Sequence, residues 1–359
     1  MSNLPAENSR IRHVDYFKAI SIILVILAHA TFANEGINAW IHSFNMPAFF
    51  FASGFFLKDR NDFDFASVRS FVWKRLQALI FPYLVWAMLY ASLTPMNVAR
   101  VVYGSHAALA SAGSLTSLWF LTTLFCALVM FAVCKLIFKK RFTLPVKLIV
   151  TAAALAIAAL LPRFSHGYPW NLNVAFYAFG FQLLGNVLFP LIDRFRNFAA
   201  GKGRVPGVLI SLLAVAVTSA GTLLYLLNLP EGKMVSTADA FYGYFPIFVV
   251  VALLGSLFTA AVSILLDLLL PRGGRDPLLF IGRNTFCIFA LHKPIVKILF
   301  RKAFTLVPLP APVALIITCA GTLLICCLLS LLIDRYLPLL AGKIPGGGKA
   351  KEAPAPQKG

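Results

Sequence analysis

Three ionisable side chains, Asp15, Lys18 and His29, lie near the start of the chain within one long apolar segment. His29 follows Lys18 by eleven positions, so in an α-helix the two share a face, within about 20°, and lie roughly 16 Å apart. Asp15 precedes Lys18 by three positions and falls near the same face. A neutral imidazole can accept a proton near neutral pH. These three residues form a stripe along one helix face, with a base at one end and a carboxylate–ammonium pair at the other.

Each of these residues also has an interpretation without chemistry. Asp15 and Lys18 could be a pair at a membrane boundary, with the lysine extending toward the headgroups. His29 could be a buried imidazole bonded to a neighbouring helix, or it could lie at the outer surface. Ionisable groups are costly inside a membrane helix, which favours a functional role.

The segments around this stripe are unusually hydrophobic. The chain of 359 residues is 60% hydrophobic and 13% charged, whereas soluble domains carry about 25% charged residues. A helix crosses a membrane with roughly 20 mainly apolar residues, and such stretches recur along the sequence. The sequence predicts an all-α, polytopic membrane helix bundle of about ten transmembrane helices. The predicted spans are 16–33, 44–57, 76–93, 118–138, 146–162, 172–192, 206–228, 244–270, 278–292 and 312–334.

The distribution of positive charge predicts the orientation of the bundle. The net charge is +19, and Lys and Arg cluster in alternate short loops. This pattern is typical of cytoplasmic loops; it predicts a multi-pass protein of the inner (plasma) membrane with both termini cytoplasmic, and it does not indicate a nucleic-acid partner. The exceptions on the outside are Arg100, Arg163, Lys233, Lys293, Lys297, Arg301 and Lys302.

The basic segment from Lys293 to Arg301 conflicts with this charge pattern, so either it binds anionic headgroups outside or the ninth span is misplaced.

Residues 1–340 form the predicted membrane domain. Residues 341–359 are rich in Gly, Pro, Ala and Lys and predict a disordered cytoplasmic tail. The six cysteines form no CxxC pair, so we expect no metal site.

Five segments, in order along most of the chain, resemble motifs of the acyltransferase 3 family of polytopic membrane O-acyltransferases. In that family an Arg or Lys, ten residues and a His open the first helix, as Lys18 and His29 do here. The other matching segments are Met46-Pro47-Ala48-Phe49-Phe50-Phe51-Ala52-Ser53-Gly54, Lys74-Arg75 with Phe81-Pro82-Tyr83, Leu118-Trp119-Phe120-Leu121, and Ile281-Gly282-Arg283-Asn284-Thr285 with Leu291-His292.

The resemblance implies acylation of sugars, often in surface polysaccharides, with acyl-CoA from the cytoplasm as donor substrate and no permanently bound cofactor. It implies that His29 is catalytic, either as a base or as a covalent carrier of the acyl group. Lys18, Lys74 and Arg75 would then bind the acyl-CoA phosphates. The charges of Lys74 and Arg75 are also explained by the excess of Lys and Arg that is typical of cytoplasmic loops. The Arg-x-x-Arg pair of many relatives is absent, because Ala78 follows Arg75 by three positions.

Six further residues are candidates for the pocket, and each has a structural alternative. Asn45 and Ser53 could polarise a carbonyl group or orient the imidazole, or they could form helix–helix hydrogen bonds. Asn45 stands where some relatives have His. Trp119 could lie in an interfacial aromatic belt or form a sugar platform. The full set is Asp15, Asn45, Ser53, Trp119, Asn284 and His292.

We therefore expect an enzyme that moves an acyl group, acetyl foremost, to a hydroxyl of a sugar, glycan or lipid-linked glycan. The main alternative is a secondary transporter or lipid-linked sugar flippase, in which Asp15, Lys18 and His29 would relay protons. The paired, interrupted helices of many transporters are not evident. A structural or sensor subunit is a further alternative, and short outside loops disfavour a polymerase or ligase. The acceptor, the acyl chain, the side of modification and the oligomeric state stay open.

Overall fold

The structure, a computed structural model, describes residues 11–30, 35–57, 63–229, 235–271, 276–300, 303, 306 and 309–343. Within these ranges the chain is all-helical and has no β-strand, which confirms the predicted all-α class. Of the predicted tail, Ala341 to Lys343 are described, and Ala341 is buried. The rest of the tail, like Lys233, Arg301 and Lys302, lies outside the described residues.

Fifteen α-helices are described in these ranges, some of them extended by short 3-10 or π turns. In chain order they are α1 (Arg12–His29), α2 (Glu35–His42), α3 (Asn45–Gly54), α4 (Phe65–Arg75), α5 (Phe81–Tyr90), α6 (Pro95–Tyr103), α7 (His106–Ser111), α8 (Trp119–Phe138), α9 (Leu144–Leu160), α10 (Leu172–Gly201), α11 (Arg204–Thr222), α12 (Phe245–Leu269), α13 (Pro277–Arg283), α14 (Thr285–Pro294) and α15 (Ala311–Tyr336).

Five of the described helical segments are long and apolar enough to cross a membrane, and each coincides with a predicted span. The helix α9 is apolar but has 17 residues. The other four predicted spans correspond to α1, α3, α5 and the α13–α14 pair, which are short, charged or interrupted, so the count of about ten stays a prediction. The five segments are Thr116–Arg141, Pro169–Gly201, Arg204–Leu227, Phe245–Leu269 and Ala311–Tyr336.

The first helix occupies the centre of the bundle. Helix α1 packs against α3, α12, α13 and α14, and its Tyr16, Ile22 and Ile26 side chains are fully buried. Gly282 of α13 lies so close to α1 that a Cβ atom there would fall 2.0 Å from the Asp15 carbonyl oxygen. The lack of a side chain at Gly282 lets α13 reach the Lys18 end of α1.

Helices α3 and α10 also pack closely, and glycines lie at their contact. A Cβ atom on Gly54 would fall 2.0 Å from the Gln182 carbonyl oxygen, and one on Gly185 would fall 1.9 Å from that of Phe51. Small residues let helix backbones approach in membrane bundles, where hydrogen bonds add to the contact. Here the Gln182 side-chain amide donates to the Ser53 hydroxyl at 3.0 Å.

We expect Gly185→Ala to destabilise the bundle, because the added methyl group meets fixed backbone rather than a movable side chain. Overpacking of this kind costs about 1–3 kcal/mol. The matched control is Gly201→Ala at the end of α10, where a Cβ atom meets nothing within 4 Å. Thermal unfolding of both variants in detergent measures the difference, and equal midpoints would contradict this description of the α3–α10 contact.

Candidate active site

A cavity of about 170 Å³ lies at the His29 end of α1. Its walls come from α1, α2, α3, α7, α8 and α14, together with a segment between α11 and α12. Four imidazoles and one ammonium group are among its lining side chains. The lining residues are Val25, His29, His42, Asn45, Met46, His106, Ser117, Trp119, Ser236, Thr237, Ala238, Phe289, His292 and Lys293.

One ring nitrogen of His29 is held by the backbone of its own helix. Its Nδ1 lies 2.8 Å from the carbonyl oxygen of Val25, one turn earlier. A carbonyl oxygen only accepts, so Nδ1 carries the proton in the neutral ring and Nε2 keeps its lone pair. The helix therefore fixes both the orientation and the tautomer that a base in this cavity needs.

A second imidazole, that of His292, is held in the same way. Its Nδ1 lies 2.8 Å from the Phe289 carbonyl oxygen, and its ring packs edge-on against His29 with centroids 5.0 Å apart. The side chain is fully buried, and within the described residues its Nε2 has no hydrogen-bond partner. Buried polar atoms are normally hydrogen-bonded, so this nitrogen is suited to accept a hydrogen bond from a hydroxyl of a bound molecule.

Lys293 brings a positive charge to the same cavity. The residue follows His292 on α14, lines the cavity and donates a hydrogen bond to the Thr116 hydroxyl oxygen. An ammonium group has three N–H donors, so it can also donate to an anionic oxygen in the cavity. Sequence reasoning missed this role, although the conflict of Lys293 with the charge rule was a usable signal. Lys297, one turn later, is exposed.

Asn45 and Trp119, two of the residues proposed from the sequence for a pocket, also line this cavity. Asn45 is 2% exposed, and its side-chain oxygen accepts the Met46 N–H at 2.7 Å. Trp119 is buried in the bundle, with its ring 6.3 Å from that of Phe50. The Trp119 side chain therefore packs inside the protein and forms a wall of the cavity.

Ser53 and Asn284 lie elsewhere. The Ser53 hydroxyl donates to the Phe50 carbonyl at 2.6 Å and belongs to the α3–α10 contact. Asn284 stands at the junction of α13 and α14, where its amide donates to the Phe280 carbonyl at 3.0 Å. Neither residue lines the cavity. Ser53 follows Asn45 by eight positions, which is roughly 12 Å along a helix, so one short helix cannot bring both side chains to one small site.

The other predicted residues lie at the opposite end of α1 or on α4. Lys18 Nζ lies 2.6 Å from Asp15 Oδ1, and Arg283 Nε lies 3.5 Å from Asp15 Oδ2. Lys74 is exposed, and the Arg75 guanidinium lies 5.0 Å from the centroid of the Phe71 ring. None of these residues lines the His29 cavity. The structure thus separates a charged cluster at the Lys18 end from the imidazole cluster.

A network of ion pairs and hydrogen bonds fixes the Lys18 end of α1 to its neighbours. Arg12 Nε lies 3.3 Å from Asp267, and Arg196 donates to the same carboxylate at 2.7 Å. The Asp267 side chain is 1% exposed, and a buried carboxylate is stable only when it is paired. The Tyr16 hydroxyl also bonds Asp276. Together these contacts join α1 to α10, to α12 and to the start of α13.

No three His, Cys, Asp or Glu side chains in the described part of the chain are placed to hold a metal ion. In a comparison with known families, a family model described as an acyltransferase domain matches residues 11–331. The matched residues include α1 to α14, and therefore both the charged cluster at the Lys18 end and the imidazole cluster. Neither a curated protein nor a solved structure matches the chain.

Proposed function

The chain belongs to the acyltransferase 3 family, and on that premise we propose that it transfers an acyl group, acetyl foremost, from acyl-CoA to a hydroxyl of a sugar or cell-surface polysaccharide precursor. The observation that carries the proposal is the cavity at the end of α1. There a backbone hydrogen bond fixes the His29 ring beside a second imidazole and the Lys293 ammonium. A base next to a cation is what attack of a hydroxyl on a thioester requires.

In this mechanism His29 Nε2 takes the proton of the acceptor hydroxyl as its oxygen attacks the thioester carbon. The carbonyl oxygen becomes an anion in the tetrahedral intermediate, and the Lys293 ammonium donates a hydrogen bond to it. The carbon–sulfur bond then breaks. The His29 proton goes to the departing sulfur, which leaves the acyl ester, free CoA and a neutral imidazole. In the alternative route the Nε2 lone pair attacks the thioester carbon first, the carbon–sulfur bond breaks and the CoA thiolate leaves. The acceptor hydroxyl then attacks the acyl-imidazole, its proton goes to the thiolate, and neutral His29 is restored.

Donor binding is proposed for the opposite end of α1. With both termini in the cytoplasm, Lys18, Lys74 and Arg75 lie on the side where acyl-CoA is available. Lys18 and Arg75 are half-buried and Lys74 is exposed, so all can meet phosphate oxygens at the surface. The thioester must then extend roughly 16 Å along α1 to reach His29.

We expect Lys18→Ala to raise the KM for acyl-CoA more than the KM for the acceptor. The substitution removes a charge from the donor side and releases Asp15 from its 2.6 Å ion pair. Initial rates in detergent with varied acetyl-CoA measure the effect. Lys74→Ala and Arg75→Ala should show a milder defect that depends on salt. An unchanged donor KM in Lys18→Ala, combined with inactivity of Lys18→Arg, would assign Lys18 to packing.

The transport alternative is less well supported by the contacts. A proton relay along α1 needs Lys18 and His29 in one chain of hydrogen bonds. In the described structure Lys18 pairs with Asp15 at one end, while His29 contacts the rings of His42 and His292 at the other. Lys18 and His29 therefore fit two separate sites, one for donor binding and one for acyl transfer, better than one proton relay.

Mass spectrometry of cell-surface glycans tests the proposed function in its native setting. Cells that express the chain should carry an O-acyl modification that is absent from cells without it and from cells that express His29→Gln. A modified glycan whose abundance does not depend on the chain would refute the proposal. The mass increment identifies the acyl group.

A further inference from the structure

A second, polar cavity of about 140 Å³ lies next to the His29 cavity. The imidazole of His106 and the residue Ala238 belong to the walls of both cavities, so the two are adjacent. We call the second cavity the vestibule. Its lining residues are His106, Ala107, Arg163, Phe164, Ser165, Gly167, Asn171, Asn173, Ala238 and Asp239.

His106 is held in a fixed orientation between the two cavities. Its Nδ1 lies 2.8 Å from Asp239 Oδ1, and the Ser236 hydroxyl donates to the other oxygen of the same carboxylate at 2.6 Å. The backbone N–H of His106 donates to the Asn171 side chain at 2.9 Å. The hydrogen bond from His106 lowers the pKa of Asp239, so this carboxylate is ionised at neutral pH and keeps the Nδ1 proton of His106 toward it.

The remaining walls combine an exposed aromatic ring with hydrogen-bonding groups of both kinds. Phe164 is 58% exposed, and the Arg163 guanidinium lies 5.2 Å from the centroid of the Phe241 ring. The Asn173 amide can both donate and accept. A pyranose presents hydroxyl groups around its rim and C–H groups on its faces. These walls match both surfaces, because the Phe164 ring can pack on a sugar face while Arg163 and Asn173 can form hydrogen bonds with the rim.

We infer that the vestibule binds the acceptor as a pyranose ring, with the His106–Asp239 pair holding the hydroxyl that faces His29. This inference rests on the proposed function, because it assigns a binding site to the acceptor of that reaction. It adds that the sugar is recognised on the side of the protein opposite to Lys18. In the proposed orientation that is the outer side of the membrane.

Sugar binding without any donor tests the inference independently of catalysis. Saturation-transfer NMR would be recorded on the purified chain with methyl glucoside, methyl galactoside and the methyl glycoside of N-acetylglucosamine. We expect at least one of these pyranosides to bind the parent chain. We expect His106→Gln and Asp239→Asn to weaken that binding at least about tenfold, because a site built to hydrogen-bond a hydroxyl discriminates strongly when a partner is lost.

The matched control is His166→Gln, which changes an exposed histidine that lines neither cavity and should leave binding unchanged. Acetyl transfer to the sugar that binds should also be unchanged in His166→Gln. Failure of the parent chain to bind any of the three sugars, or equal binding by the parent and both vestibule variants, would overturn the inference. Sugar binding by the parent chain without any acetyl transfer from acetyl-CoA would instead count against the proposed function.

Discussion

His29→Gln is expected to lower the turnover of acyl transfer at least about a hundredfold, since a positioned general base contributes about 10²–10⁴-fold in rate. Glutamine keeps much of the shape of histidine and can still donate to the Val25 carbonyl, which His29 Nδ1 contacts at 2.8 Å. It has no lone-pair nitrogen that takes a proton. The variant should therefore insert into the membrane and bind donor normally, and His29→Ala should be equally inactive.

The measurement is kcat with saturating acetyl-CoA, after gel filtration has confirmed that each variant is folded. His166→Gln again provides the control, because it makes the same change at an exposed position away from the cavity. Near-normal turnover in His29→Gln would assign His29 to packing. An acyl group trapped on His29 would favour covalent transfer over base catalysis.

Lys293→Met is expected to lower kcat about 10²–10³-fold, the usual effect of removing one donor to a developing oxyanion. Methionine fills the space of the lysine stem but cannot donate to the anionic oxygen. The Lys293 ammonium already donates to the Thr116 hydroxyl, which holds it at the cavity wall. Because the donor phosphates are proposed to bind at the other end of α1, the KM for acetyl-CoA should change little. Lys293→Arg should recover part of the activity.

Lys297→Met is the matched control for this prediction. Lys297 lies one turn after Lys293 and is exposed, so its loss should leave kcat unchanged. Equal defects in the two variants would favour the other interpretation of this basic segment, which is contact with anionic headgroups. The lipid dependence of each variant in vesicles of defined charge would then show which lysine is responsible.

The helical class was predictable from the sequence, because it depends on local patterns. Long apolar runs predicted the five helices that are long enough to cross a membrane. Whether the predicted spans at α3 and at α13–α14 cross the membrane is harder to predict from hydropathy than for the five long helices. The helix α3 has only 10 residues, and the second region is interrupted at Asn284. Short helices of this kind gain their stability from packing, which a hydropathy pattern does not report.

The membership of the cavity was only partly predictable. His29 and His292 were both candidates, but their contact joins residues far apart in the sequence, at a centroid distance of 5.0 Å. Ser53 was a candidate because it shares a motif with Asn45, yet the pitch of α3 places it against α10. Lys293 was interpreted from its charge, and only the fold shows its position beside the imidazoles.

The loop residues of the vestibule gave no signal in the sequence. His106 begins α7 and Asp239 lies in a short 3-10 turn before α12, so their 2.8 Å contact depends on how these two segments pack. No spacing rule applies to such a pair. Contacts of this kind follow from tertiary structure, so the pairing of these two residues could not be predicted from the sequence.

Release of the free CoA thiol by the purified chain distinguishes acyl transfer from transport. The protein would be assayed in detergent, without any ion gradient, with acetyl-CoA and a sugar acceptor. We predict that thiol release and acetyl ester appear in equal amounts, and that both are lost in His29→Gln but kept in His166→Gln. Sugar movement across sealed vesicles that consumes no acetyl-CoA and survives His29→Gln would contradict the account.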